Sequence, residues 1–213
     1  AEDGIRDFCL SRGLGDVYKR QILMIRSFVN ELKGKLETFR TLNNNEIRKL
    51  NDIAKKYNIK YQNKHKLDLV DEILSNVDVI PNSIVLAQAA IESGWGKSRF
   101  AKEYNALFGE YTYDDSEGVI PLERENGDTH LIKAFSSYSN SVESYFDNIN
   151  SHYAYEDFRD IRNIMRKRNN FSNVNLLVNK LSTYAEDENY IKTIRQVIKT
   201  NNFAIFDQKT ISY

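Results

Sequence analysis

The chain has 213 residues, 41% hydrophobic and 28% charged, which is enough for one good-sized folded domain with an appendage. Its 30 basic and 30 acidic side chains cancel, so no basic excess argues for nucleic acid and no acidic tail is present. Two prolines and nine glycines favour a helix-rich fold, and no run of 18 apolar residues is available to span a membrane.

Residues 1–21 read as translated sequencing adapter, since 1–7 and 11–21 each match the translation of a common library adapter. The alternative is an amphipathic leader. Such scars are set aside in fold reasoning, and the absence of a signal peptide here is uninformative. The segment holds four acids and four bases, so the charge balance stays neutral without it. It also holds Cys9, the only cysteine, which leaves the rest of the chain without disulfides or thiol catalysis.

From 22 to 42 the apolar positions Ile22, Leu23, Ile25, Phe28, Val29, Leu32, Leu36 and Phe39 follow a helical period. A second helix is predicted over 46–57 and a third over 66–76. Pro81 then punctuates the start of a strong helix over 83–93, which Gly94 and Gly96 end. Residues 105–135 change character: Tyr111, Thr112, Tyr113, Val119 and Ile120 are strand formers between Asp- and Gly-rich turns. This stretch predicts a small β-hairpin subdomain. Helices return over 141–150, 155–168, 173–184 and 187–200.

Chemistry concentrates at the end of the fourth helix. Glu92 follows Ile84, Leu86, Ala87, Ala89, Ala90 and Ile91, so its helix is apolar nearly all round and is expected to be buried. Burial and the negative end of the helix dipole both favour the protonated carboxyl, the form a general acid needs. A glutamate here is otherwise satisfied by a neighbour such as Arg99, or solvated at a fraying end. His130 and His152 form no metal-binding pattern, and no phosphate-binding glycine loop occurs. Asp114 and Asp115 near Glu117 are read as a solvated turn rather than a weak cation site. The basic run Arg159, Arg162, Arg166, Lys167 and Arg168 alternates with acids and is read as a solvated helix face, with anionic peptide stems or lipid headgroups as the other use.

The stretch Leu86-Ala87-Gln88-Ala89-Ala90-Ile91-Glu92-Ser93-Gly94-Trp95-Gly96-Lys97-Ser98-Arg99-Phe100-Ala101 is followed by Asn105-Ala106-Leu107-Phe108-Gly109. Further along come Ser141-Val142, Tyr145, Asn148-Ile149-Asn150, Ala154-Tyr155, Phe158-Arg159 and Tyr184-Ala185-Glu186-Asp187 with Tyr190. In order and spacing this resembles the peptidoglycan glucosaminidases of glycoside hydrolase family 73, in their Bax-like branch. The resemblance covers about residues 65–207, leaving 22–64 as an N-terminal helical extension and 208–213 as a tail.

The resemblance implies an α+β fold, mainly α and lysozyme-like, with a helical lobe and a small β-hairpin lobe beside a substrate groove. It implies cleavage of the β-1,4 bond after N-acetylglucosamine, with Glu92 as general acid and no metal or other cofactor. The second catalytic group is less defined: Glu123 is the best-placed β-lobe acid, with Glu125, Asp128 and Glu117 as rivals. All four otherwise solvate a hairpin, and the substrate's own acetamido group can replace a second carboxylate. Tyr184 matches a tyrosine near the scissile sugar, while Asn105, Phe108 and Tyr190 match substrate-binding positions. Trp95 either packs behind Glu92, the favoured role, or stacks on sugar. The implied partner is a peptidoglycan glycan strand, met by a monomer in the periplasm or cell envelope. Rival readings are a lytic transglycosylase and a lysozyme-like module that binds glycan without cutting it.

Overall fold

The computed structural model describes residues 14–121, 129–169, 173–185 and 187–207, with side chains from Tyr18 onward. The chain divides into two compact units. One comprises Pro81–Phe146 with the chain up to Tyr18 and from Thr193; the other comprises Lys19–Ile80 and Asp147–Lys192.

The first helix, α1 (Leu14–Glu37), begins inside the adapter-like segment. Tyr18 is buried there and meets Phe146 edge-on at 5.0 Å. Ile22, further along the same helix, is buried as well.

In the second unit α2 (Asn44–Lys56) starts on a capping box, with the Asn43 side chain and the Glu46 side chain exchanging bonds with each other's backbone amide. Its Leu50 and Ala54 are buried, as are Leu69, Val70 and Ile73 of α3 (Lys66–Asn76). Buried Asp78 follows α3 and accepts two bonds from Arg166, from Nε at 2.8 Å and Nη2 at 2.7 Å. Arg26 lies 3.5 Å from the same carboxylate, and Arg162 donates to the carbonyls of Asp78 and Asn76 at 3.0 and 2.6 Å. The basic run is therefore not a solvated face throughout. Arg159, Arg162 and Arg166 recur at the helical interval along α7 (Glu156–Lys167), and Arg162 is 0% exposed. Burial lowers the proton affinity of Arg162 despite the attraction of Asp78.

In the first unit the helix that carries Glu92 is α4 (Asn82–Glu92). Its first turn follows Pro81, which has no side-chain acceptor to cap the free amides. Asp207 supplies one from the far end of the chain. Its carboxylate accepts from the Ser83 amide at 2.8 Å and the Ser83 hydroxyl at 2.6 Å, while Asn82 donates to the Phe206 carbonyl at 2.9 Å. An anion at this end also complements the helix dipole.

A short helix, α5 (Arg99–Tyr104), follows, with Ser98 capping it through the Ala101 amide; its six residues are too few for a period to show in the sequence. Strands β1 (Tyr111–Thr112), β2 (Gly118–Val119) and β3 (Leu131–Lys133) then form an antiparallel sheet in the order β1-β3-β2. The small β-subdomain expected over 105–135 is this sheet, and the stretch 131–133 is its central strand, with Ile132 paired to both Tyr111 and Val119.

Beyond the sheet come α6 (Tyr138–Ser151), a 3-10 turn (Tyr153–Tyr155) and α7. The helix expected over 173–184 shrinks to α8 (Asn175–Val178), after which Lys180, Leu181 and Tyr184 each donate to the carbonyl three residues back in tight turns. The last helix, α9 (Tyr190–Thr200), precedes a 3-10 turn (Phe203–Phe206). The fold class is α+β and mainly α. No helix among the described residues is long and apolar enough to cross a membrane.

Candidate active site

After half-buried Asn82 every residue of α4 from Ser83 to Ala90 is buried, and the helix meets solvent again at half-buried Ile91 and Glu92. The helix is enclosed as expected, and Glu92 at its end is half-buried. The helix delivers a carboxylate from the core to its surface in its last residue.

The turn beyond the helix end fixes Glu92 in place. Trp95 N–H donates to the Ala90 carbonyl at 2.8 Å and Gly94 N–H to the Ile91 carbonyl at 3.2 Å, the paired bonds of a Schellman motif. Gly94, Trp95 and Gly96 all have positive φ, at 55°, 59° and 72°. Glycine accepts this conformation freely, whereas a tryptophan there costs about 1–2 kcal/mol, so the surroundings must hold it. Buried Ser93 contributes by donating to the Ala89 carbonyl at 2.5 Å and accepting from the Gly96 amide at 2.8 Å. Trp95 itself is half-buried.

The Asn105-Ala106-Leu107-Phe108-Gly109 loop closes on the same helix end. Gly109 has φ +61°, and a Cβ built on it would lie 3.6 Å from Glu92 Oε2. The glycine backbone thus packs beside that carboxylate oxygen. Asn105, in a left-handed conformation at the end of α5, donates its amide to the Phe135 carbonyl at 2.9 Å. The Leu107 amide donates to the buried Ser141 hydroxyl at 3.1 Å.

Phe108, expected to stack on sugar, is 2% exposed and lies face to face with Tyr145 at 4.1 Å. An aromatic ring so enclosed supports the loop and offers no face to a ligand. The Tyr145 hydroxyl donates at 2.6 Å to the side-chain carbonyl of Gln88, one helical turn before Glu92 and fully buried. A continuous stack therefore runs from the helix through Gln88, Tyr145 and Phe108 to the glycine beside Glu92. Gln88 and Tyr145 carried no functional expectation, although a glutamine inside an apolar helix signals a buried partner.

The second unit holds Tyr184 and Tyr190. Tyr184 is half-buried and stacks nearly parallel on Tyr190, with ring centroids 5.8 Å apart and planes 3° apart. Tyr155 lies 6.1 Å from Tyr184. Tyr190, expected to bind substrate, is 4% exposed and backs Tyr184 instead. Glu123, with its rivals Glu125 and Asp128, lies outside the described residues, whereas Glu117 is exposed and 3.7 Å from Lys133.

The chain is 35% identical over 137 residues to Protein bax of Escherichia coli (strain K12), covering 64% of this chain and 48% of that protein. It is 35% identical over 92 residues to Peptidoglycan hydrolase FlgJ of the same strain, covering 38% of this chain and 29% of that protein. It thus spans about half or less of the curated relatives it matches. The catalytic domain of the autolysin Auto from Listeria monocytogenes aligns over 85% of this chain and 86% of its own at 19% identity, with a TM-score of 0.44, too loose a likeness to bear on the site. A family model, Glucosaminidase, described as mannosyl-glycoprotein endo-beta-N-acetylglucosaminidase, matches residues 67–203. With well over half of its length in that match, the chain belongs to the glucosaminidase family.

Proposed function

We propose that this chain is a peptidoglycan hydrolase that cleaves the β-1,4 bond after N-acetylglucosamine, with Glu92 as the general acid. The observation that carries the reading is the delivery of Glu92 by a buried helix to a half-buried position beside the Gly109 loop. Membership of the glucosaminidase family supports the reaction class, and the name of the FlgJ relatives supports peptidoglycan as the substrate.

In this mechanism the Glu92 carboxyl gives its proton to the glycosidic oxygen as the C1–O bond breaks, and the departing sugar leaves as an alcohol. The electron deficit at C1 is met by water, directed by a second carboxylate for which Glu123 is the candidate, or by the substrate's acetamido oxygen. Tyr184 is assigned to position the water or the acetamido group, its ring held by the stack on Tyr190. Asn105 has one amide N–H committed to Phe135, so a sugar contact falls to its second N–H or its side-chain oxygen. Trp95 is assigned to shape the wall behind Glu92. The periplasm or cell envelope is the compartment in which such a substrate is met.

The test is digestion of purified sacculi followed by mass spectrometry of the soluble products. Hydrolysis after N-acetylglucosamine gives reducing N-acetylglucosamine ends. Anhydro-muramic ends would reassign the chain to the lytic transglycosylases, and an absence of soluble products would leave only glycan binding.

A further inference from the structure

The small sheet has two unlike faces. Cross-strand partners share a face, and alternate residues of a strand return to it. One face carries Thr112, Leu131 and Lys133, with Leu131 buried. Gly118 opens room on that face, since a Cβ there would meet Leu131 Cβ at 2.5 Å and Thr112 Cγ2 at 2.7 Å. The other face carries Tyr111, Ile132 and Val119 in a row, and His130 stacks on the Tyr111 ring at 4.2 Å with planes 26° apart.

Tyr111 is 63% exposed and Tyr113, just beyond the strand, is 77% exposed. Two large aromatic rings left open two residues apart are unusual beside a face with apolar residues to bury them against. Their place along the chain gives them a use. Tyr111 follows Gly109, which packs beside Glu92 Oε2, by two residues, so at most about 7 Å of backbone separates it from that glycine. Tyr113 stands a further two residues along the chain.

We propose that Tyr111, backed by His130, and Tyr113 form an aromatic ledge that binds successive sugar rings of the glycan leading away from Glu92. The ledge rests on the proposed glycosidase activity. The C–H face of an N-acetylglucosamine ring is apolar and flat enough to cover a tyrosine ring, while its hydroxyl and acetamido groups remain free to bond at the edges. Charge favours the sugar over the peptide stem. Asp114, Asp115 and Glu117 are exposed in the turn beside the ledge and would repel the carboxylates of a stem, whereas N-acetylglucosamine is neutral.

The experiment uses the full chain with Glu92→Gln to prevent turnover, and titrates a β-1,4-linked N-acetylglucosamine tetrasaccharide by calorimetry. Adding Tyr111→Ala or Tyr113→Ala is expected to weaken binding about tenfold each, and Tyr111→Phe to leave it within about threefold. Tyr113 lies beyond the strand with most of its side chain in solvent, so its variant reads binding even if Tyr111→Ala loosens the sheet. In the active enzyme the same changes should raise KM on glycan more than they lower kcat.

Unchanged tetrasaccharide affinity in both alanine variants overturns the ledge, as does a loss confined to a free stem peptide. No tetrasaccharide binding by the Glu92→Gln protein overturns it too. Digestion of sacculi by the unmodified chain separates the two claims: digestion with an inert ledge removes only the ledge, and no digestion removes the glycosidase reading beneath it.

Discussion

The hydrogen bond between Tyr145 and Gln88 joins the Glu92 helix to the stack that ends at Gly109, and it is open to a double-mutant cycle. Both side chains are 0% exposed and the bond is 2.6 Å long. Tyr145→Phe removes only the hydroxyl and keeps the ring on Phe108. Loss of one buried neutral hydrogen bond is expected to cost about 1–2 kcal/mol. Gln88→Leu fills similar space but removes the acceptor of the tyrosine hydroxyl, at a cost of about 1–3 kcal/mol. With both polar partners gone nothing is left unsatisfied across the pair, so the double variant should lose less than the two single losses added together. The coupling should be about 1 kcal/mol or more. Urea unfolding followed by circular dichroism, with m compared across the four proteins, measures it. Additivity to within about 0.5 kcal/mol would refute the argument that this contact ties the loop to the helix.

Two further outcomes rest on the packing of each unit. Burial alone would raise the Asp78 carboxyl, but bonding from Arg166 and the charges of Arg26 and Arg162 outweigh it and hold it below its ordinary value of 3.8. Its contribution is therefore present above that value and is lost as pH falls through the lower native one. Asp78→Asn should destabilise by about 3–5 kcal/mol at neutral pH and flatten the acid side of a stability-against-pH curve; an unchanged acid limb would contradict this. Gly118→Ala puts a methyl group 2.5 Å from Leu131 Cβ and should cost about 1–3 kcal/mol in urea unfolding, with a neutral result ruling out the close approach.

The parts of the site that were legible in the sequence are those with local causes. An apolar run ending in Glu92 and two glycines reads directly as a buried helix stopped by a left-handed turn, and the φ values at Gly94 and Gly96 agree. Long-range pairings leave no such trace. Tyr145 lies 57 residues from Gln88, and Asp207 lies 124 residues from the helix end it caps. Residue type also misleads where core and groove use the same side chains: Phe108 and Tyr190 are aromatic in either place, and the structure encloses both. The arginines of α7 misled in the opposite sense. Charge suggested solvent, but their spacing placed Arg159, Arg162 and Arg166 inward, where Asp78 and carbonyl oxygens receive them. Short elements such as α5 and α8 span too few residues to show a period at all.

The central claim is proton donation by Glu92, and the most direct measurement compares the chain with Glu92→Gln on two kinds of β-N-acetylglucosaminide. On sacculi, where the leaving sugar needs a proton, the variant should lose about 10²–10⁴ in rate while keeping its fold by circular dichroism. On an aryl glycoside, whose phenolate departs unaided, the loss should be much smaller. Equal rates for the two proteins on sacculi would contradict the account.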